Sequence, residues 1–352
     1  MLPITRLCLG MSMVLPTISL PQGVRDILPE EAARIGAAEA GILSVFEKHG
    51  FRKIVTPLLE YVDVLSLGMG ANLKDRVLKF IDPSTGRVVA IRPDITPQIA
   101  RVAATRMREH GLPLKLCYNE SVLRYQEPRD GKSREVLQIG AEYISEKASA
   151  AIDAEMIIIS IEALEAIGLR DFKIDIGDVG FLRAVLDKLP VDGESRGKIK
   201  DSIAIKDTSG LEAAISGLKL PGKDRQLLLN LTTFYGEEEV LEKAASFSND
   251  AESLSALEYL RVVVDMIAKK GFKDRVTIDL GEVRGFDYYT GIIFEGFASG
   301  VGKPILSGGR YDTLLARYGF SAAATGFAFD VENIISGLER MDKSRKGQGR
   351  VL

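Results

Sequence analysis

Cysteine and histidine are scarce in this 352-residue chain, with two of each. Cys8 and Cys117 cannot build a disulfide framework, and neither stands in metal-ligand spacing. His49 and His110 are too few for a histidine-based metal site or a catalytic triad, so neither a metal nor a cofactor is expected. Long apolar runs are missing as well. No segment approaches the roughly 20 apolar residues of a membrane span, which argues against a membrane partner. Positive charge is not in excess: 46 Lys and Arg face 49 Asp and Glu, a net charge of −3. A broad basic face for nucleic-acid backbone is therefore not expected, although a local basic patch stays open. Free thiols without an export route point to the cytoplasm.

What is present is enough for one large domain, or for a core with a smaller insertion. Residues 1–20 are apolar with a lone Arg6 and a Pro16. The apolar part is short and the cleavage pattern poor for a secretory signal. Residues 1–19 are read as a disordered arm or an upstream start, with Met11 or Met13 as alternative initiators.

Pro29-Glu30-Glu31 opens a helix, because proline suits the first turn and acids suit its positive end. Ile35, Ala38, Ile42, Val45 and Phe46 follow at helical spacing, and Gly50 supplies the stop. Residues 51–60 read as an extended segment at a sheet edge, given Pro57 near the centre. A short strand is expected over 88–91, a helix over 97–110, paired strands over 114–124 and 134–144, and a buried helix over 150–167. Residues 180–271 are richer in lysine, glutamate and leucine, lack strand alternation and read as a helical insertion. Strand patterns return at 276–280, 292–294 and 325–329, before a helix from Val331. The order is α+β with a mixed or mainly antiparallel sheet, since hairpin-like connections outnumber βαβ units. The expected division is a core of 20–179 and 272–340, the insertion, and a tail over 341–352.

Four clusters carry candidate chemistry. On a strand, Gln138, Gly140 and Glu142 share one face, an amide and a carboxylate flanking a glycine that leaves an open polar floor. Glu142 suits an ammonium partner; the same pattern also fits a solvent-facing strand with a glycine bulge. Asp94-Ile95-Thr96-Pro97 lies at a strand-to-helix junction, with Thr96 as a natural N-cap and Asp94 near the helix entrance. Arg284-Gly285-Phe286-Asp287-Tyr288-Tyr289 gathers a guanidinium, a carboxylate and two phenols just beyond a strand. A surface loop with an Asp–Arg pair is the plainer reading of that cluster, though two adjacent tyrosines there would waste apolar area. Gly308-Gly309-Arg310-Tyr311-Asp312 is weaker, because glycine pairs serve turns more often than phosphate loops.

In order and spacing these pieces resemble the core of histidyl-tRNA synthetase, a class II aminoacyl-tRNA synthetase. Residues 20–29 look like that family's opening, residues 50–61 its dimer-forming motif 1, Leu123-Arg124-Tyr125 its motif 2, and residues 326–333 its motif 3. Residues 282–291 resemble its histidine-specific loop. The resemblance covers about residues 20–338. It implies a class II synthetase-like core in which Asp94, Thr96, Arg124, Gln138, Glu142, Arg284, Tyr288 and Tyr289 surround bound histidine. The synthetase usually has glutamate where Asp94 stands, so the reach to the ligand is one methylene shorter here.

The departures decide what kind of relative this is. Gln126 stands where motif 2 carries an acid, Asp330 replaces a motif 3 glycine and Asn333 replaces the arginine that meets ATP. The chain reaches Leu352 soon after motif 3, so the synthetase's anticodon-binding domain is expected to be absent. A pocket with amino-acid chemistry but altered nucleotide chemistry resembles the ATP phosphoribosyltransferase regulatory subunit family. That resemblance implies no catalytic residues and a hetero-oligomer with a short-form ATP phosphoribosyltransferase catalytic subunit, acting in the first step of histidine biosynthesis. It also implies a homodimer within that assembly, L-histidine as feedback ligand, and no tRNA. No phosphoribosyltransferase signature is visible in the chain itself. The competing expectation is a truncated histidyl-tRNA synthetase or another histidine-adenylating ligase.

Overall fold

The computed structural model describes residues 19–70, 77–125, 133–283, 285 and 288–348. The arm over residues 1–18, Gln126 and Arg284 lie outside them.

A nine-stranded sheet forms the frame. Its strands are β1 (Arg52–Lys53), β5 (Leu114–Leu123), β6 (Glu135–Ser145), β7 (Phe172–Asp178), β8 (Tyr235–Gly236), β9 (Val276–Asp279), β10 (Ile292–Ala298), β11 (Leu306–Arg310) and β12 (Ala323–Asp330). Their spatial order is β1-β5-β6-β12-β11-β10-β7-β9-β8. The sheet is mixed. Its centre is antiparallel, while β1 runs parallel to β5 and β7 parallel to β9. A mainly antiparallel description leaves out those two pairs. A separate three-stranded sheet holds β2 (Leu59–Tyr61), β3 (Lys79–Ile81) and β4 (Val88–Ile91). The expected single extended segment over 51–60 is thus divided, its two ends pairing in different sheets on either side of Pro57.

Alternation along the central strands separates two apolar layers. Cys117, Ile139, Ala141, Phe327 and Phe329 face the larger layer. Helix α1 (Pro29–Lys48) covers it with Ile35, Ala38, Ile42, Val45 and Phe46, all buried. Over α1 and the sheet lies α4 (Ala150–Ala166), most of whose side chains are buried, with Glu155 and Glu162 on its open side. On the opposite face, Leu114, Leu116, Tyr118 and Ile144 meet α3 (Thr96–Thr105). The helix expected over 97–110 stops at Thr105, and a separate 3-10 turn, Arg108–His110, precedes Gly111 at positive φ.

Between β7 and β9 the chain is helical: α5 (Val179–Asp187), α6 (Gly193–Ala204), α7 (Thr208–Ile215), α8 (Gly222–Asn230), α9 (Glu239–Phe247) and α10 (Ala251–Lys269). Its Leu227, Leu260 and Val263 join the same apolar cluster as the sheet. The two-residue β8 extends that sheet at its edge. Helix α2 (Val62–Gly68) follows β2, and α11 (Val331–Gln348) closes the described chain. That last helix passes the boundary at residue 340 where a tail was expected. Four described strands escape the sequence pattern: β3, β7, the short β8, and β11, whose Gly308-Gly309 pair reads as a turn but pairs with β10 and β12.

Candidate functional site

On the α3 face of the sheet, β6, β11 and β12 and the loop after β9 enclose a cavity of about 380 Å³. Asp94, Thr96, Arg124, Gln138, Tyr288 and Tyr289 all line it, so six of the eight expected residues meet at one place. Glu142 lies behind the lining, held by the Thr96 and Tyr311 hydroxyls. Arg284, the eighth, lies outside the described residues.

Glu142 is fully buried. Its carboxylate accepts hydrogen bonds from the Thr96 hydroxyl at 2.6 Å, from the Tyr311 hydroxyl, and from the Tyr118 hydroxyl at 3.5 Å. No lysine or arginine pairs with it among the described residues. Burial pushes its pKa up to about 8, with the nearby Asp94 adding to the rise and the three hydroxyls opposing it. Among the described residues the carboxyl group is thus packed among phenols and a threonine rather than against a cation.

The glycines around it have steric roles. Gly326 pairs with Glu142 across β12 and β6, and a β-carbon there would stand 2.6 Å from the Glu142 carboxyl carbon. Gly140 does not leave the open floor expected of it, because the Tyr118 phenol occupies that space. Gly309 is open on the cavity side so that the Tyr289 ring can lie against it, 2.8 Å from an added β-carbon.

The junction at Asp94 is also arranged differently from the expectation. Thr96 is the first residue of α3 and makes no cap; its hydroxyl is committed to Glu142. The helix has no side-chain cap; Asp94 Oδ1 accepts from the adjacent Ile95 amide at 2.8 Å. Burial raises the Asp94 pKa, while Arg124 and the Ile95 and Thr96 amides favour its charged form. Arg124 is itself aimed by a 2.7 Å hydrogen bond from Nε to the Pro93 carbonyl.

Two polar atoms in the cavity wall lack partners among the described residues: Gln138 Oε1 and the Tyr288 hydroxyl. Such orphans are uncommon in native interiors and mark where a ligand's donors and acceptors belong. Tyr288 packs edge-on to Tyr289 and tilts against Tyr311, giving the cavity an aromatic wall. Burial raises the pKa values of all three phenols, so they stay protonated donors.

The outer end of the cavity carries Lys303, Ser307, Asp330, Glu332 and Asn333. Asp330 accepts from the Asn333 amide at 3.0 Å at the start of α11, and Asn333 Nδ2 donates to the Pro304 carbonyl at 2.8 Å. Burial raises the Asp330 pKa. Among the described residues no group of His, Cys, Asp and Glu is disposed to hold a metal ion, and no helix is long and apolar enough to cross a membrane.

Tyr118 and Tyr311 went unpredicted. Tyr311 sits in the glycine-rich Gly308–Asp312 cluster judged weak, and Tyr118 announces itself only through its cross-strand register with Gly140.

Residues 23–334 match the family model of histidyl-tRNA synthetase. An ATP phosphoribosyltransferase regulatory subunit of Geobacter sulfurreducens is 45% identical over 321 residues, covering 91% of this chain and 73% of that protein. Its counterpart in an Anaeromyxobacter species is 38% identical over 333 residues, 95% of this chain and 96% of its own length. Among solved structures, an ATP phosphoribosyltransferase regulatory subunit/histidyl-tRNA synthetase of Bacillus halodurans aligns with a TM-score of 0.84 at 28% identity, covering 95% of this chain and 91% of that one. Histidyl-tRNA synthetase of a Nostoc species aligns at 0.76 and 23% identity over 92% of this chain and 76% of its own, a likeness of fold.

Proposed function

This chain belongs to the family of ATP phosphoribosyltransferase regulatory subunits, built on the class II synthetase-like fold, and we propose that it is a non-catalytic, histidine-sensing subunit. In this reading a separate, short-form ATP phosphoribosyltransferase performs the first step of histidine biosynthesis, and this chain activates it and relays feedback.

The observation that carries the reading is the Glu142 carboxyl, buried beside a cavity and held, among the described residues, by hydroxyls alone. It asks for a protonated nitrogen from a ligand. Gln138 Oε1 and the Tyr288 hydroxyl supply two more unmet polar positions along the same wall. A small, cationic, partly flat molecule answers all three, and L-histidine has that chemistry. The outer end suits a triphosphate less in this reading, because Asp330 and Glu332 line it beside Lys303. Feedback then requires that histidine bind one state of the assembly more tightly than another.

The small sheet supports a second part of the proposal. Ile81 and Val88, paired in register on one face of that sheet, are 66% and 47% exposed, a patch we assign to a second copy of this chain.

Mixing the purified chain with a short-form catalytic subunit should give a larger particle by light scattering, with activity altered and made histidine-sensitive. A catalytic subunit whose kinetics and size do not change would refute the regulatory role. ATP–pyrophosphate exchange with histidine should stay at the no-enzyme level; clear exchange would instead establish an adenylating ligase.

A further inference from the structure

We infer that Asp153 and Arg310 form the positioning pair of the cavity, holding the end of β11 so that Tyr311 meets Glu142 and Tyr289 closes the wall. This inference rests on the amino-acid pocket proposed above.

Arg310 and Tyr311 are consecutive and point to opposite faces of the sheet. The Arg310 guanidinium enters the helical layer, where Nε and Nη2 donate to the two Asp153 oxygens at 2.9 and 2.7 Å. Asp153 lies in the first turn of α4, and both side chains are almost wholly buried. The Tyr259 hydroxyl of α10 donates to the same carboxylate at 2.8 Å. The Tyr311 hydroxyl, on the other face, donates to Glu142. One residue step thus joins a rigid anchor to the Glu142 carboxyl.

The same anchor reaches the loop. Arg310 Nη1 donates to Asp312 at 3.0 Å, and Asp312 accepts from the Ala324 amide at 2.9 Å. The Asp312 amide donates to the Thr290 hydroxyl at 3.0 Å, and the Thr290 amide to the Arg310 carbonyl at 2.7 Å. Thr290 follows Tyr289 directly, so the aromatic wall and Glu142 share one frame.

A buried ion pair adds little net stability compared with well-packed apolar residues, and its best-attested contribution is register. A two-pronged guanidinium–carboxylate pair fixes orientation as well as distance. Here that rigidity is spent beside Glu142, whose own surroundings (Thr96, Tyr118 and Tyr311 hydroxyls, with Asp94 and Tyr288 close by) all depend on placement.

The test uses Asp153→Asn and Arg310→Lys in the full chain. Histidine affinity is measured by calorimetry, and the Glu142 titration by carboxyl-carbon NMR on glutamate-labelled protein, assigned with Glu142→Gln. Both variants should remain folded by circular dichroism, with the histidine Kd raised about tenfold. Glu142 should titrate at higher pH than in the wild type, because the hydrogen bond from Tyr311 slackens, and Tyr311→Phe should shift it the same way. A role confined to stability would lower the melting temperature and leave both readouts alone, and that result overturns the inference. Arg310→Lys keeps the buried charge and loses only the two-pronged geometry, so it decides the matter if Asp153→Asn does not fold. If the wild-type chain binds no histidine, the pocket reading fails, while the Glu142 titration still decides whether the pair positions Tyr311.

Discussion

Gly326 stands directly across β12 from Glu142, and the space a β-carbon would fill at Gly326 is taken by the Glu142 carboxyl group. The carboxyl is therefore held from the sheet side by an absence of side chain and from the other sides by hydroxyls. Gly326→Ala should displace Glu142 or open the β6–β12 pairing, since Ala141's carbonyl lies 2.8 Å from the same point. Overpacking of this kind costs about 1–3 kcal/mol. Urea unfolding should show that loss, and histidine binding should fall by more than tenfold in the folded fraction.

Glu142 also makes stability depend on pH. Its folded pKa of about 8 lies above the model-peptide value of 4.5, so the folded state holds the proton more tightly. The stability this contributes is fully present below about pH 4.5 and is lost as pH rises through 8. Inside that window the slope is about 1.4 kcal/mol per pH unit. Comparing urea midpoints of the wild type and Glu142→Gln between pH 5 and 9 isolates it from Asp175 and Asp178, whose pKa values burial raises to about 6. Glu142→Gln should flatten the curve; parallel curves would place the titration elsewhere.

Binding of a cationic ligand should release a proton. At pH 7 the Glu142 carboxyl is mostly protonated, and a bound ammonium or imidazolium favours its charged form. Calorimetry of histidine binding in buffers of different ionisation enthalpy should show release of up to about one proton from this site. That release should vanish in Glu142→Gln, together with most of the affinity. Truncating one member of a buried charge pair costs about 2–5 kcal/mol.

The exposed patch on the small sheet gives a separate handle. Ile81 pairs in register with Val88, and the two are 66% and 47% exposed. Ile81→Glu should halve the mass seen by light scattering at micromolar concentration without changing the circular dichroism spectrum. An unchanged dimer would move the interface to another face.

Much of the frame was legible in the sequence because it depends on local pattern. Helix α1 follows from Pro29, the first-turn acids and five apolar residues at helical spacing, all five of which are buried. The β5–β6 pair follows from two apolar runs of matching length, and they pair from Leu114–Ile144 to Leu123–Glu135. Strand β11 was not legible, because Gly308 and Gly309 imitate a turn. They are glycines so that Phe327 and Tyr289, contributed by other segments, can lie against the strand. Thr96 looked like a cap for a similar reason: its local role was plain, and its partner lay 46 residues away on another strand.

The sequence by itself determined which groups were available: Asp94, Thr96, Gln138, Glu142, Tyr288 and Tyr289, and Gln126, Asp330 and Asn333 at positions where the resemblance to the synthetase implies nucleotide-contacting residues. Only the tertiary structure decided that Glu142 is desolvated, held by three hydroxyls and without a cationic partner among the described residues, and that Arg310, next to Tyr311, is paired with Asp153. Local pattern governs hydrogen bonding and amphipathicity within a few residues. Desolvation and charge pairing are sums over atoms that distant segments bring together, and no stretch of sequence carries that sum.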